Sequence, residues 1–276
     1  MRKFFVIAVI IGICLYVYLS RFYWFLWPVT KPMNIERVQY KEESSTLITE
    51  GKKLLQQRKD NDAWTVFAKI LINSPNDVDA LWGKAEILRR NRKFDEAEEV
   101  VKQALAQDPK HLPSLLTLSY IRYSQDRLDD ALSLVTTVLQ SYQSKENEAM
   151  AYMLLGTING RRASKGNIIA KLNYGTQVQC YLLKAKELAP ELPEVHLALG
   201  TFYLVAPSIV GGNLNKAYEE LNAAVTMAPD FATANARLAQ YYRRKGDFEN
   251  YTTYVDKVEE LDPDNEVLKE LKAQQP

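Results

Sequence analysis

The chain has 276 residues, 47% hydrophobic and 25% charged, which is the composition of a folded protein and excludes bulk disorder. Its 35 basic and 34 acidic residues leave a formal charge of +1, so no overall field draws it to nucleic acid, and nucleic acid is not an expected partner. Of the two cysteines, Cys14 lies in an apolar N-terminal run and only Cys180 belongs to the soluble part, so no disulfide between folded segments is implied.

The first element is that N-terminal run. After Arg2 and Lys3, Phe4 to Ser20 carry no charge over 17 residues, the lower limit for a spanning helix. Arg21 interrupts the run and can snorkel to the headgroups, while Tyr23, Trp24 and Trp27 form an aromatic boundary. Residues 1–27 therefore read as a transmembrane anchor. A removable signal peptide needs small residues at its cleavage site, and the candidates here are Tyr18, Leu19 and Ser20. Lipidation at Cys14 is disfavoured by Ile13 before it. Basic residues flank both sides, so charge does not fix the orientation. A short basic start before a long soluble domain behaves as a signal anchor, which places that domain outside a bacterial inner membrane, facing the periplasm. Residues 28–43, with Pro28 and Pro32 and no sustained helical period, read as a spacer.

From residue 44 the chain is punctuated by Pro75, Pro109, Pro190, Pro229 and Pro263, each after an Ala- or Leu-rich helical segment. The first and last intervals have a period of 34 residues, that of a helix–turn–helix repeat in which small residues let two helices approach and the proline stops the second. Six units follow: 44–77 with Gly51, Leu54, Ala63 and Phe67; 78–111 with Leu81, Ala85, Leu88, Ala97 and Ala104; and 112–145 with Leu115, Leu118 and Ala131, where Gln143 replaces the proline. Next are 149–192 with Tyr152, Leu155, Gly156 and Ala185, 193–231 with Leu199, Gly200, Tyr203 and Ala217, and 232–265 with Leu238, Tyr242, Gly246 and Tyr251. The fourth unit has a long second helix over Asn167 to Leu188, and the fifth carries an inserted loop, APSIVGG, over Ala206 to Gly212. Asn265 to Ala273 reads as a short polar helix capping the last repeat.

On these positions the chain resembles the tetratricopeptide-repeat (TPR) family over about residues 44–273. The resemblance implies an all-α, TPR-type superhelical solenoid preceded by the single transmembrane helix. It also implies a binding role, because stacked helix pairs make a concave surface lined by the first helix of each unit. The stretch from Ala206 to Phe231, with LAQYYRRKGDFENY after it, more narrowly resembles the periplasmic TPR component of TRAP-type transporters, which implies an accessory role in organic-solute uptake. The usual lipid attachment of that group is missing here.

No enzyme, metal or cofactor is expected. His111 and His196 share no ligand spacing with each other or with cysteine. Gly211 and Gly212 are followed by neither lysine nor a preceding strand, so they read as a loop entering a helix capped near Asn213 or Asn215. Glu98 with Glu99, and Glu219 with Glu220, read as solvated helix faces.

The repeat register selects the candidate binding surface. It comprises Trp82, Glu86, Arg89 and Arg90 of the second unit, Tyr120 and Tyr123 of the third, and Met153, Arg161 and Arg162 of the fourth. Leu204 of the fifth and Gln240, Arg243 and Arg244 of the sixth complete it. Aromatic groups beside arginines suit an acidic or C-terminal peptide, since guanidinium grips carboxylate in bidentate fashion. The arginine pairs also fall near helix C-termini, where the helix dipole favours positive charge whatever is bound. The lysine and asparagine of a chaperone-type carboxylate clamp are missing.

Overall fold

The positions of the prolines decide where the second helices stop. In the computed structural model, which describes residues 35–141 and 144–273, a helix ends at Asn73, Gln107, Leu188, Met227 and Leu261, each two residues before one of the five prolines. A ring on the backbone nitrogen cannot continue the ladder, and the chain turns there.

Every regular element among the described residues is helical. They are α1 (Ile35–Gln56), α2 (Asp60–Asn73), α3 (Val78–Arg90), α4 (Phe94–Gln107), α5 (Leu112–Ser124), α6 (Leu128–Leu139) and α7 (Lys145–Lys165). Then follow α8 (Ile168–Leu188), α9 (Pro193–Val205), a 3-10 turn at Ser208–Val210, α10 (Leu214–Met227), α11 (Ala232–Lys245), α12 (Phe248–Leu261) and α13 (Glu266–Ala273). The expected anchor at residues 1–27 lies outside the described residues, and no described helix is long and apolar enough to cross a membrane. The spacer needs a correction: α1 already runs from Ile35. Its first turns are rich in Glu, Lys, Arg and Gln, good helix formers that leave no apolar period to read.

The chain divides into two units at Thr46, and the packing described here is that of the second, Leu47–Pro276. Helices pair within each repeat, α3 with α4, α5 with α6, α7 with α8, α9 with α10 and α11 with α12. First helices also touch first helices, α3 with α5, α5 with α7, α7 with α9 and α9 with α11, so they form the inner layer. The small residues sit where two helices come closest. Ala63, Ala97, Ala131, Ala185 and Ala217 are wholly buried. Phe67 is held between two glycines: a Cβ built on Gly51 would lie 2.6 Å from its ring, and one on Gly83 would lie 2.3 Å from it. Both α1 and α3 need bare backbone at that point.

The inserted loop enters α10 through an Asn213 cap, whose side chain accepts from the Lys216 amide at 3.0 Å. At the far end α13 is amphipathic rather than polar throughout, burying Val267, Leu268 and Leu271 against α11 and α12.

Candidate partner-binding surface

Between the two helices of a repeat, the turn needs one residue in the left-handed region. Arg58, Arg92 and Asp126 occupy it in the first three units, at φ of 60°, 59° and 63°, and Gly246 does so in the sixth. Glycine is the residue that adopts this conformation without strain. The two arginines use the position to project across the solenoid. Arg58 Nη2 donates to Glu194 Oε1 at 2.6 Å, 136 positions away, and its guanidinium lies 3.6 Å from the centre of the Phe231 ring. Arg92 donates to the Asp262 carboxylate at 2.8 Å and to the Asp264 carbonyl at 2.5 Å. Turns of the first two repeats thus meet residues that open the fifth and close the sixth. These links are made by the arginine side chains.

Around Arg58 and Glu194 lies a balanced cluster of three arginines and three carboxylates. Glu86 accepts from Arg89 Nε at 2.8 Å and from Arg90 Nε at 3.0 Å. Arg90 Nη1 donates at 2.8 Å to both the Leu55 carbonyl and Asp60, and its other nitrogen lies 3.7 Å from Glu194. Burial alone would raise the Glu86 carboxyl, but Arg89 and Arg90 outweigh it and hold it well below the usual range. Glu194 is lowered in the same way, Arg58 and Arg90 prevailing over its burial. Burial, with Arg90 alongside, brings the Arg58 guanidinium down to about 10.

From this cluster a ladder runs along the inner helices. Trp82 Nε1 donates to Thr117 Oγ1 at 3.1 Å, and that hydroxyl donates to Glu86 at 3.1 Å. Arg89 stacks 4.0 Å from the centre of the Tyr120 ring, Tyr120 meets Tyr123 edge-on at 5.9 Å, and Arg161 lies 4.8 Å from the Tyr123 ring while donating to its hydroxyl. Cation–π contacts of this kind hold guanidinium and ring in one geometry.

The structure places the remaining sequence-selected residues elsewhere. Met153 and Leu204 are buried in the largest apolar core and present nothing to a partner; an aliphatic side chain beside the groove is drawn under the next repeat. Arg162 pairs with Asp129, Arg244 donates to the Leu204 carbonyl, and Arg243 donates to the Leu271 carbonyl at 3.0 Å. Gln240 accepts from Arg237 at 2.7 Å. Arg89, Arg90, Arg243 and Arg244 all lie in the last turns of their helices. Arg58, Asp60, Thr117, Glu194 and Phe231 were not selected, since no spacing within a repeat brings them together.

Two carboxylate pairs are not solvated faces throughout. Glu98 forms a bidentate pair with Arg122 and also binds Lys102. Glu220 is buried, accepting from Lys186 at 2.7 Å and lying 2.7 Å from His196 Nδ1, whose Nε2 meets the Pro190 carbonyl at 2.8 Å. No group of His, Cys, Asp and Glu among the described residues is arranged to hold a metal ion.

Models of the tetratricopeptide repeat match residues 48–111, 88–156 and 232–265. The chain belongs to the tetratricopeptide-repeat family. Among solved structures this TPR chain is similar to Cut9–Hcn1 of the APC/C, with a TM-score of 0.55 and 14% identity over 84% of this chain and 42% of that one. It is also similar to a TPR protein of Parabacteroides merdae, with a TM-score of 0.49 and 14% identity over 88% and 84% of the two chains. A third is the pilF product of Pseudomonas aeruginosa, with a TM-score of 0.47 and 18% identity over 86% and 100%. Likeness at these identities concerns the fold. A search of curated proteins finds no match.

Proposed function

We propose that this TPR protein is a membrane-anchored interaction scaffold or assembly factor that holds a protein or peptide partner, acidic in character, along the inner face of its solenoid. The observation that carries the reading is the ladder of Trp82, Arg89, Tyr120, Tyr123 and Arg161, which offers flat apolar surface beside guanidinium groups already fixed in place. Pre-organised aromatic and arginine side chains are what binding surfaces concentrate their affinity in, because little side-chain freedom is left to lose. The anchor at residues 1–27 would hold that surface near a membrane complex, with the solenoid in the periplasm.

The test is site-specific photocrosslinking in membranes that carry the full chain. A photoreactive phenylalanine at Tyr123 should capture a partner that the same group at Thr253, on the outer helix α12, does not; capture from Thr253 alone would refute the groove. A reporter fused after Pro276, with carbonate extraction, checks the anchor and its orientation. Reporter activity confined to the cytoplasm would overturn the periplasmic placement. The alternative, an accessory of an organic-solute transporter, is supported by the inserted loop and the long α8, and copurification of a solute-binding protein would select it.

A further inference from the structure

The arginines of the first helices differ in what already neutralises them. Arg89 and Arg90 share Glu86, Arg122 holds Glu98 and Arg162 holds Asp129, so a carboxylate brought to any of these would meet one already there. Arg161 and Arg237 are half-buried, yet no carboxylate among the described residues comes within ion-pairing distance of either. Arg161, on α7, donates to the Tyr123 hydroxyl at 3.2 Å, and Arg237, on α11, donates to Gln240 at 2.7 Å; both of these partners are neutral and half-buried.

Burial pushes the Arg237 guanidinium down, and Glu270 and the Tyr123 phenol offset this only in part. Tyr123 therefore has one guanidinium against its ring and a second near enough to act on its phenol. Asp126 and Glu266 also favour the charge on Arg161, but Asp126 is taken up by Lys165 and Glu266 is exposed. A half-buried cation without a counterion is where a bound anion gains most, because the attraction acts at reduced dielectric and displaces no existing partner. The planar fork of guanidinium matches a carboxylate. From Tyr123 the ladder continues to Tyr120, Arg89 and Trp82, so a segment lying along it offers side chains, not only a chain end, to the two arginines.

We propose that Arg161 and Arg237 together receive an acidic side chain of the partner segment beside the Tyr123 ring, and that this pair sets the acidic preference of the groove. The site lies in the binding face proposed above and rests on that proposal. The full chain in detergent is titrated with a short amidated peptide of alternating leucine and glutamate, carrying a neutral fluorophore, and with a twin in which glutamine replaces glutamate. The glutamate peptide should bind about tenfold more tightly or better, the margin of a hydrogen bond to a charged group. Added salt should shrink that margin, and Arg161→Gln/Arg237→Gln should abolish it. Arg237→Gln on its own should leave the Tm no lower, since burial opposes the charge it removes. Arg161→Glu/Arg237→Glu should prefer a lysine twin, an inversion that a structural role would not produce. Equal binding of glutamate and glutamine peptides, or a margin kept in the double glutamine variant, overturns the site and leaves the groove standing. Binding of neither peptide overturns the site, and the crosslink at Tyr123 then decides separately whether the groove stands. A glutamine twin with a free C-terminal carboxylate that matches the glutamate peptide assigns the arginines to a chain end and overturns the side-chain assignment. A lower Tm for Arg237→Gln with the margin kept makes Arg237 a structural residue and overturns the pair.

Discussion

Replacing Glu194 by glutamine tests whether the side-chain link between the first and fifth units holds the solenoid. The change keeps the shape and removes one negative charge. Three carboxylates, Glu86, Asp60 and Glu194, then become two, facing Arg58, Arg89 and Arg90. Removing one partner of a buried pair costs ~3–5 kcal/mol, and a hydrogen bond to a charged group is worth ~1.5–3 kcal/mol. Here the side chains of Arg58 and Glu194 are 13% and 18% exposed, and water reaches part of the cluster. A loss of about 2–4 kcal/mol is expected, a fall in Tm of roughly 5–15 °C for a solenoid of this size. Thermal melts by circular dichroism measure it, and solution scattering should show a larger radius of gyration as the first and fifth units part. Arg58→Met keeps an apolar stem for Phe231 and removes the opposing charge, so the double variant should lose less than the sum of the two singles by about 1 kcal/mol or more. An unchanged Tm for Glu194→Gln, or strict additivity, would refute the reasoning.

Other outcomes follow from the packing and the charges. Ala97→Leu and Ala217→Leu overpack positions with no accessible surface and should each cost ~1–3 kcal/mol in the same melts. Gly83→Ala gains about 1 kcal/mol of helix propensity, but its methyl cannot coexist with the Phe67 ring in place, so a net loss is expected that Phe67→Leu partly relieves. Glu86, Glu194 and Glu220 are all held below their usual 4.5. The unfolded chain binds their protons more tightly, so their stabilisation is complete above that value and is lost as pH falls beneath it through the folded values; urea midpoints between pH 7 and 3 should decline accordingly. Asn213→Ala removes the cap of α10 and should cost ~1 kcal/mol, read as a lower Tm.

The helices and their close contacts were legible because they repeat. A residue such as Ala97 or Ala217 is small for a reason that recurs at Ala63 and Ala131, and five prolines mark the stops. Cluster residues Arg58 and Glu194 were not legible, since each looks like an ordinary polar residue at a turn or helix start. Their meeting depends on the small rotations of several successive repeats, a sum that local spacing does not contain. Glu220 was read as solvated for a related reason: its partners Lys186 and His196 belong to the preceding helices. The surface residues divide by the same logic. Trp82, Tyr120, Tyr123 and Arg161 come together because inner helices stack in register, whereas Met153 and Leu204 fail because an apolar side chain at the groove's edge finds burial nearby.

An open stack of repeats tolerates internal duplication, since each unit touches only its neighbours. This one has lost that freedom. Arg58 meets Glu194, and Arg92 meets Asp262, only when the number of units between them and the pitch they generate are both right. Inserting one more 34-residue copy between the second and fifth units would carry Glu194 past its arginine and leave charges on both sides without their counterparts. Lineages descending from such a chain should vary in loops and termini while keeping the repeat count fixed, so that a molecule assembled from interchangeable parts would evolve as if it were a single indivisible domain.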